Sequence, residues 1–184
     1  MKIKKDYDLD CVHGGILNYM ESITIHGVEN RTLNRALESL MMYGLWRTQF
    51  KGWKAIKCPP EQEAYDGIFQ KGDKIVLIQF KTGKMNSERY ILAKGKLVRF
   101  INKNFPNKKI RGIVLPTDRH YKNEEEYYNG SLVYVAEVIN ENYYAGNEDF
   151  FKVYTNLKNL FDTQQMTFRT VDKFFDKVLW KRAE

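Results

Sequence analysis

From Asn30 onward apolar residues return at helical spacing, with Leu33, Leu37, Leu40 and Met41 on one stripe. This pattern predicts a first helix that Asn30 caps and Gly44 stops. Two strand-like runs follow, Trp46 to Ala55 and Glu63 to Gln70, separated by Cys58-Pro59-Pro60, which cannot continue a sheet ladder. Lys74 to Lys81 is the strongest strand signal, because Ile75, Val76, Leu77 and Ile78 stand in succession. A run of that kind belongs at the centre of a sheet, covered on both faces. Ser87 then caps a long helix reaching about Phe105, with Glu88 in its first turn and Ile91, Leu97, Val98, Ile101 and Phe105 on the packed side. Arg111 to Pro116 and Leu132 to Val138 read as two more strands. Asp149 to Lys181 carries Phe, Tyr and Leu at mixed spacing and supplies helices that complete the core. The first thirty residues show no clear period and read as an irregular arm with one short helix around Gly15 to Ser22.

The order of helix, three strands, helix, two strands and a helical tail predicts an α/β domain with a mixed sheet. A chain of 184 residues with 43% hydrophobic content suits one domain over residues 1–184. Its core spans about 30–138, preceded by an arm over 1–29 and followed by a helical extension over about 149–184. Cys11 and Cys58 lack the spacing of a structural zinc site and read as reduced cysteines. No run of about eighteen apolar residues occurs, and MKIKKDYDLD carries no apolar signal core. The expectation is a soluble cytoplasmic protein with no membrane partner.

Charge sharpens this picture through its placement. The formal net charge is +7, and between Leu45 and Arg111 there are 16 Lys or Arg against 5 Asp or Glu. Such a concentration suits a polyanionic partner, since each phosphate contact releases condensed counterions, although surface lysines also simply solvate a fold.

The segment from Glu63 to Lys81 reads as two strands joined at Gly72-Asp73, a pair suited to a two-residue type II′ turn. If Lys71 faces Lys74, counting outward from the turn puts Asp66 opposite Gln79 on one face, and alternation brings Lys81 to that same face. A carboxylate, an amide and an ammonium then meet on one sheet surface. Together they suit phosphodiester hydrolysis. Asp66 offers a hard anionic oxygen to Mg²⁺, for which Mn²⁺ can substitute, while Gln79 offers a neutral side-chain oxygen and Phe80 its backbone carbonyl. Lys81 would lower the pKa of an attacking water or neutralise charge on the phosphate.

Asp66-Gly67, a turn, and Ile78-Gln79-Phe80-Lys81 resemble the core motif of the PD-(D/E)XK nuclease superfamily, whose α-β-β-β-α-β order is similar to that of residues 30 to 117, about half the chain. The glutamine form is similar to the Mrr group of restriction nucleases, and the helix-first layout resembles archaeal Holliday-junction resolvases. The resemblance implies a restriction-endonuclease-like three-layer core with a C-terminal helical extension. It also implies a catalytic set of Asp66, Gln79 and Lys81, with Asp66, Gln79 and the Phe80 carbonyl as metal ligands. Tyr65 stands where the name-giving proline would be, and Gln79 removes one negative charge from the site. Members often add an acid from the first helix, which points to Glu38, whose competing reading is a solvated helix glutamate. Glu63 faces the other way unless its strand bulges.

On the long helix Arg89, Lys96, Arg99 and Lys103 share a stripe that could grip phosphates, or could simply be its polar face. Lys84 follows the hairpin strand and must lie near its catalytic face. Trp46, Phe50 and Trp53 could stack on unpaired bases but read better as core. His13, His26 and His120 lack partners at metal or triad spacing, and Glu124 to Glu126 with Tyr127 and Tyr128 reads as a solvated loop or helix start. The expected function is a Mg²⁺-dependent endonuclease, a homodimer acting on branched or duplex DNA, including single-stranded regions. Its alternative is a nuclease-fold nucleic-acid-binding protein without catalysis, and a third is a domain whose basic face meets an acidic protein.

Overall fold

The computed structural model describes residues 30–58, 65–81, 87–116 and 135–180. In chain order these form α1 (Asn30–Arg47), β1 (Lys54–Lys57), β2 (Gly67–Lys71), β3 (Lys74–Lys81), α2 (Ser87–Asn104), β4 (Ile110–Pro116), α3 (Val135–Tyr144), α4 (Glu148–Asp162) and α5 (Phe168–Val178). The chain is mixed α/β with a four-stranded mixed sheet, as its pattern predicts. Two compact units divide it near residues 51 and 137, one built of α1, α3, α4 and α5, the other of the sheet and α2. The expected N-terminal arm and the short helix expected around Gly15 to Ser22 lie outside the described residues.

In the helical unit α1 buries Leu33, Ala36, Leu37, Leu40, Met41 and Leu45 along the stripe its spacing marks. The helix runs three residues past Gly44, so the glycine is not its stop. Gly44 is instead a point of close packing: a Cβ there would lie 2.4 Å from Val138 Cγ1, 2.8 Å from Phe150 Cε2 and 3.0 Å from Asn142 Nδ2. Asn142 is wholly buried and donates to Gly44 O at 3.1 Å and Val138 O at 2.8 Å, locking α3 onto α1. A buried amide is tolerable because its donors are satisfied in this way. Gly44→Ala gains about 1 kcal/mol of helix propensity but forces apart a dense contact costing about 1–3 kcal/mol. We expect lower denaturant stability. Gly95→Ala should be neutral or stabilising, because its Cβ meets only Arg99 Nη1, at 3.7 Å. Equal stability of the two variants would contradict the packing account.

Two strand expectations are corrected here. Trp46 and Arg47 end α1, residues 48–52 turn, and the strand begins only at Lys54. The turn is held by Phe50 N donating to Leu45 O at 2.9 Å and by Gly52 at φ +80°. Phe50 is buried and Trp46 is half-buried, its ring 5.9 Å from that of Tyr43, which agrees with a packing role. Of the expected strand Leu132 to Val138, residues 132–134 lie outside the described residues and Val135 onward is helical in α3. Val138, Ile139 and Asn142 are buried together, a helical spacing that a β-branched run conceals. The expected C-terminal helices are present as α4 and α5.

In the sheet unit the strand order is β1-β2-β3-β4, with the first two pairings antiparallel and β3 parallel to β4. Val76, Leu77, Ile78, Gln79 and Phe80 are buried in succession, so β3 is central and covered on both faces, as expected. On one face Ile75 and Leu77 pack with Leu97 and Ile101 of α2. Gly112, opposite Leu77, lets that helix settle, because a Cβ there would come 2.5 Å from Leu97 Cδ2. The packed side of α2 is Tyr90, Ala93, Leu97 and Ile101. Ile91 and Val98, expected on that side, are 60% and 43% exposed. They sit about 100° around the helix from Tyr90 and Leu97, and apolar identity alone does not say which of two adjacent stripes meets the sheet.

Candidate functional site

The hairpin β2–β3 has the register that its turn dictates. Lys71 pairs with Lys74 and the ladder runs outward to Gly67 opposite Ile78. Gly72 takes φ +58°, a left-handed value that a side chain would strain, and Gln70 Nε2 donates to its carbonyl at 3.3 Å. One position further out, Asp66 N donates to Ile78 O at 2.7 Å, so the backbone stays paired up to the aspartate.

Pairing at that end brings the polar side chains together. Asp66 Oδ2 accepts from the Phe80 backbone N–H at 2.6 Å and from Gln79 Nε2 at 2.9 Å. The same Gln79 Nε2 donates to the Phe80 carbonyl at 3.2 Å. Asp66 is half-buried and Gln79 is 7% exposed, so these bonds form in a partly dry setting where each is worth more than in water. Lys81 ends β3 on the face of Gln79, half-buried and opposite Pro116. Among the described residues no ion pair joins its ammonium to Asp66.

Tyr65 enters the hairpin against α2, its ring 5.1 Å from that of Phe100 and packed on the cluster of Leu77, Leu97 and Ile101. Burial, and secondarily the nearby Cys58, push its phenol above the ordinary range, so it stays protonated at neutral pH. Tyr65 thus anchors the chain to α2 immediately before Asp66. Neither this anchor nor the Phe80 N–H carries a sequence signal, because any residue has an amide and any tyrosine can be core.

Other expected residues are spread differently. Glu38 is half-buried on α1 and belongs to the helical unit. Arg89, Lys96, Arg99 and Lys103 are all exposed along α2. Lys84, Glu63 and the three histidines lie outside the described residues.

The donor chemistry can be tested against a hard divalent cation. Asp66 Oδ2 and the Phe80 carbonyl oxygen, from opposite strands, converge on one point, now filled by the Gln79 NH₂ group. A partly positive group between two oxygens marks a place that favours a cation. A half turn of the Gln79 amide would present its oxygen to the same point. Among the described residues no three acids, histidines or cysteines cluster to hold a metal. Among the described residues the set comprises one carboxylate, one amide and one carbonyl, which suits Mg²⁺ because that ion keeps several waters and takes only one or two carboxylates. Comparison with protein-family models, curated proteins and solved structures gives no match.

Proposed function

We propose that this chain is a metal-dependent endonuclease that hydrolyses DNA phosphodiester bonds at Asp66, Gln79 and Lys81, on a restriction-endonuclease-like core. The observation that carries this reading is the convergence of Asp66 Oδ2 and the Phe80 carbonyl at one point, with Lys81 on the same face. Support also comes from the order β-β-β-α-β, with antiparallel pairings followed by a parallel one. Asp66, Gln79 and the Phe80 carbonyl would hold Mg²⁺ or Mn²⁺, which when bound supplies Lewis-acid polarisation and an activated water. Lys81 offsets negative charge developing on the phosphate. The exposed cations of α2 hold the flanking backbone, and pairing of two copies would let both strands be cut. Among the described residues no helix is long and apolar enough to cross a membrane.

One observation favours a second reading, a nuclease-fold protein that binds nucleic acid without cutting it. Gln79 Nε2 already satisfies both converging oxygens and so closes the site without a metal. The two readings separate on incubation with supercoiled plasmid, a four-way junction and single-stranded DNA, each with Mg²⁺, Mn²⁺ or EDTA. The nuclease cuts at least one substrate with metal and none with EDTA. Gln79→Glu should leave it active and tighten Mg²⁺ binding through the added charge. If the wild type cuts nothing under any metal and Gln79→Glu gains cleavage, the binding protein is the right description.

A further inference from the structure

The hairpin has a second charged end. Lys71 and Lys74 are direct cross-strand partners beside the turn, and both are exposed. Like charges placed directly opposite destabilise a ladder. The parallel register of β3 with β4 begins at Ile75 opposite Ile110. Lys108 and Lys109, both exposed, immediately precede Ile110, so they stand at the same end of the sheet as the turn. Alternation puts Lys71 and Lys74 on the face shared by Val76, away from α2.

Within this group Asp73 is the single acid, and among the described residues no ion pair takes up any of the four lysines. Arg111 shares the face of Val76 but has interactions of its own. Lysines often guard edge strands against aggregation, yet β2 and β3 are the interior strands of this sheet. That explanation does not reach Lys71 and Lys74. Their repulsion is a standing cost that a polyanion would relieve.

We propose that Lys71, Lys74, Lys108 and Lys109 form a second phosphate-binding surface, which holds a nucleic-acid backbone segment distinct from the one at Asp66. It lies at the far end of β3 from Lys81, about 23 Å along the strand at 3.3 Å per residue. The inference rests on nucleic acid being the ligand of the proposed function, but not on cleavage. Four lysines give a non-specific grip, since ammonium groups meet phosphates as point charges and read no base.

The test is fluorescence-anisotropy binding of a labelled duplex to the full chain across a salt series. Wild type is compared with a combined Lys71→Gln, Lys74→Gln, Lys108→Gln and Lys109→Gln variant, and with a Lys173→Gln, Lys177→Gln control on α5. The expected result is a slope of log K against log salt that falls by about 0.9 for each lost contact, so by about two to four units, with the control unchanged. Stability should hold or rise slightly because the repulsion is gone, so a binding loss cannot be laid to unfolding. An unchanged slope overturns the inference, as does a wild type without salt-dependent duplex binding. Retained duplex binding with lost binding to phosphatidylserine vesicles also overturns it, by reassigning the surface to a membrane. A lower slope in a protein that never cuts DNA sustains this surface while the nuclease reading fails.

Discussion

Asp66→Asn should lower cleavage by roughly two orders of magnitude or more while leaving DNA binding intact. Among the described residues Asp66 supplies the carboxylate at the point where its Oδ2 and the Phe80 carbonyl converge, so its loss removes a full negative charge that would hold a cation there. The hairpin should survive the change. Asparagine keeps an oxygen to accept from Phe80 N–H, and the step from a charged to a neutral acceptor costs about 1 kcal/mol. Binding should be equal or slightly tighter, because a carboxylate near the phosphate path has been neutralised. Plasmid nicking, duplex anisotropy and thermal melting of the same preparation separate the three effects. A variant that cuts as fast as wild type, free of contaminating nuclease, would remove Asp66 from the chemistry.

Lys81→Ala has the second large effect, and a different signature. Lys81 ends β3 half-buried on the face of Gln79, where the proposed reaction would have its ammonium meet the phosphate. Turnover should fall by about 10²–10³-fold, the scale of losing one preorganised electrostatic partner of a transition state. Metal affinity should not fall, since the lysine is not a ligand, and stability should change by less than about 1 kcal/mol at a half-exposed strand end. Calorimetric Mg²⁺ titration beside single-turnover cleavage distinguishes this from Asp66→Asn, which loses both. If Lys81→Ala instead weakens metal binding as much as Asp66→Asn does, the lysine shapes the site and does not act on the phosphate.

The part of this site that depends on local rules was legible in the chain. Gly72-Asp73 sets the turn, the turn sets Lys71 against Lys74, and counting outward brings Asp66 to Gln79, where a hydrogen bond now joins them. What could not be read depends on tertiary partners. Leu132 to Val138 alternates well enough for a strand, but the packing of Val138 and Asn142 on Gly44 selects a helix. Ile91 and Val98 are apolar enough for a core, yet Tyr90 and Ala93 take the sheet-facing stripe. Gly44 has the composition of a helix stop and serves as a contact point. The Phe80 amide that holds Asp66 is invisible in any sequence, because every residue but proline has one.

A metal held by Asp66 and Gln79 that cutting requires would show in a Mg²⁺ titration of wild type and Asp66→Asn, with nicking of supercoiled plasmid followed at each metal concentration. Wild-type nicking should rise and saturate with the same midpoint as calorimetric Mg²⁺ binding, vanish in EDTA, and be lower by about a hundredfold or more in Asp66→Asn at every concentration. Nicking that persists in EDTA, or that saturates identically in Asp66→Asn, would contradict that requirement.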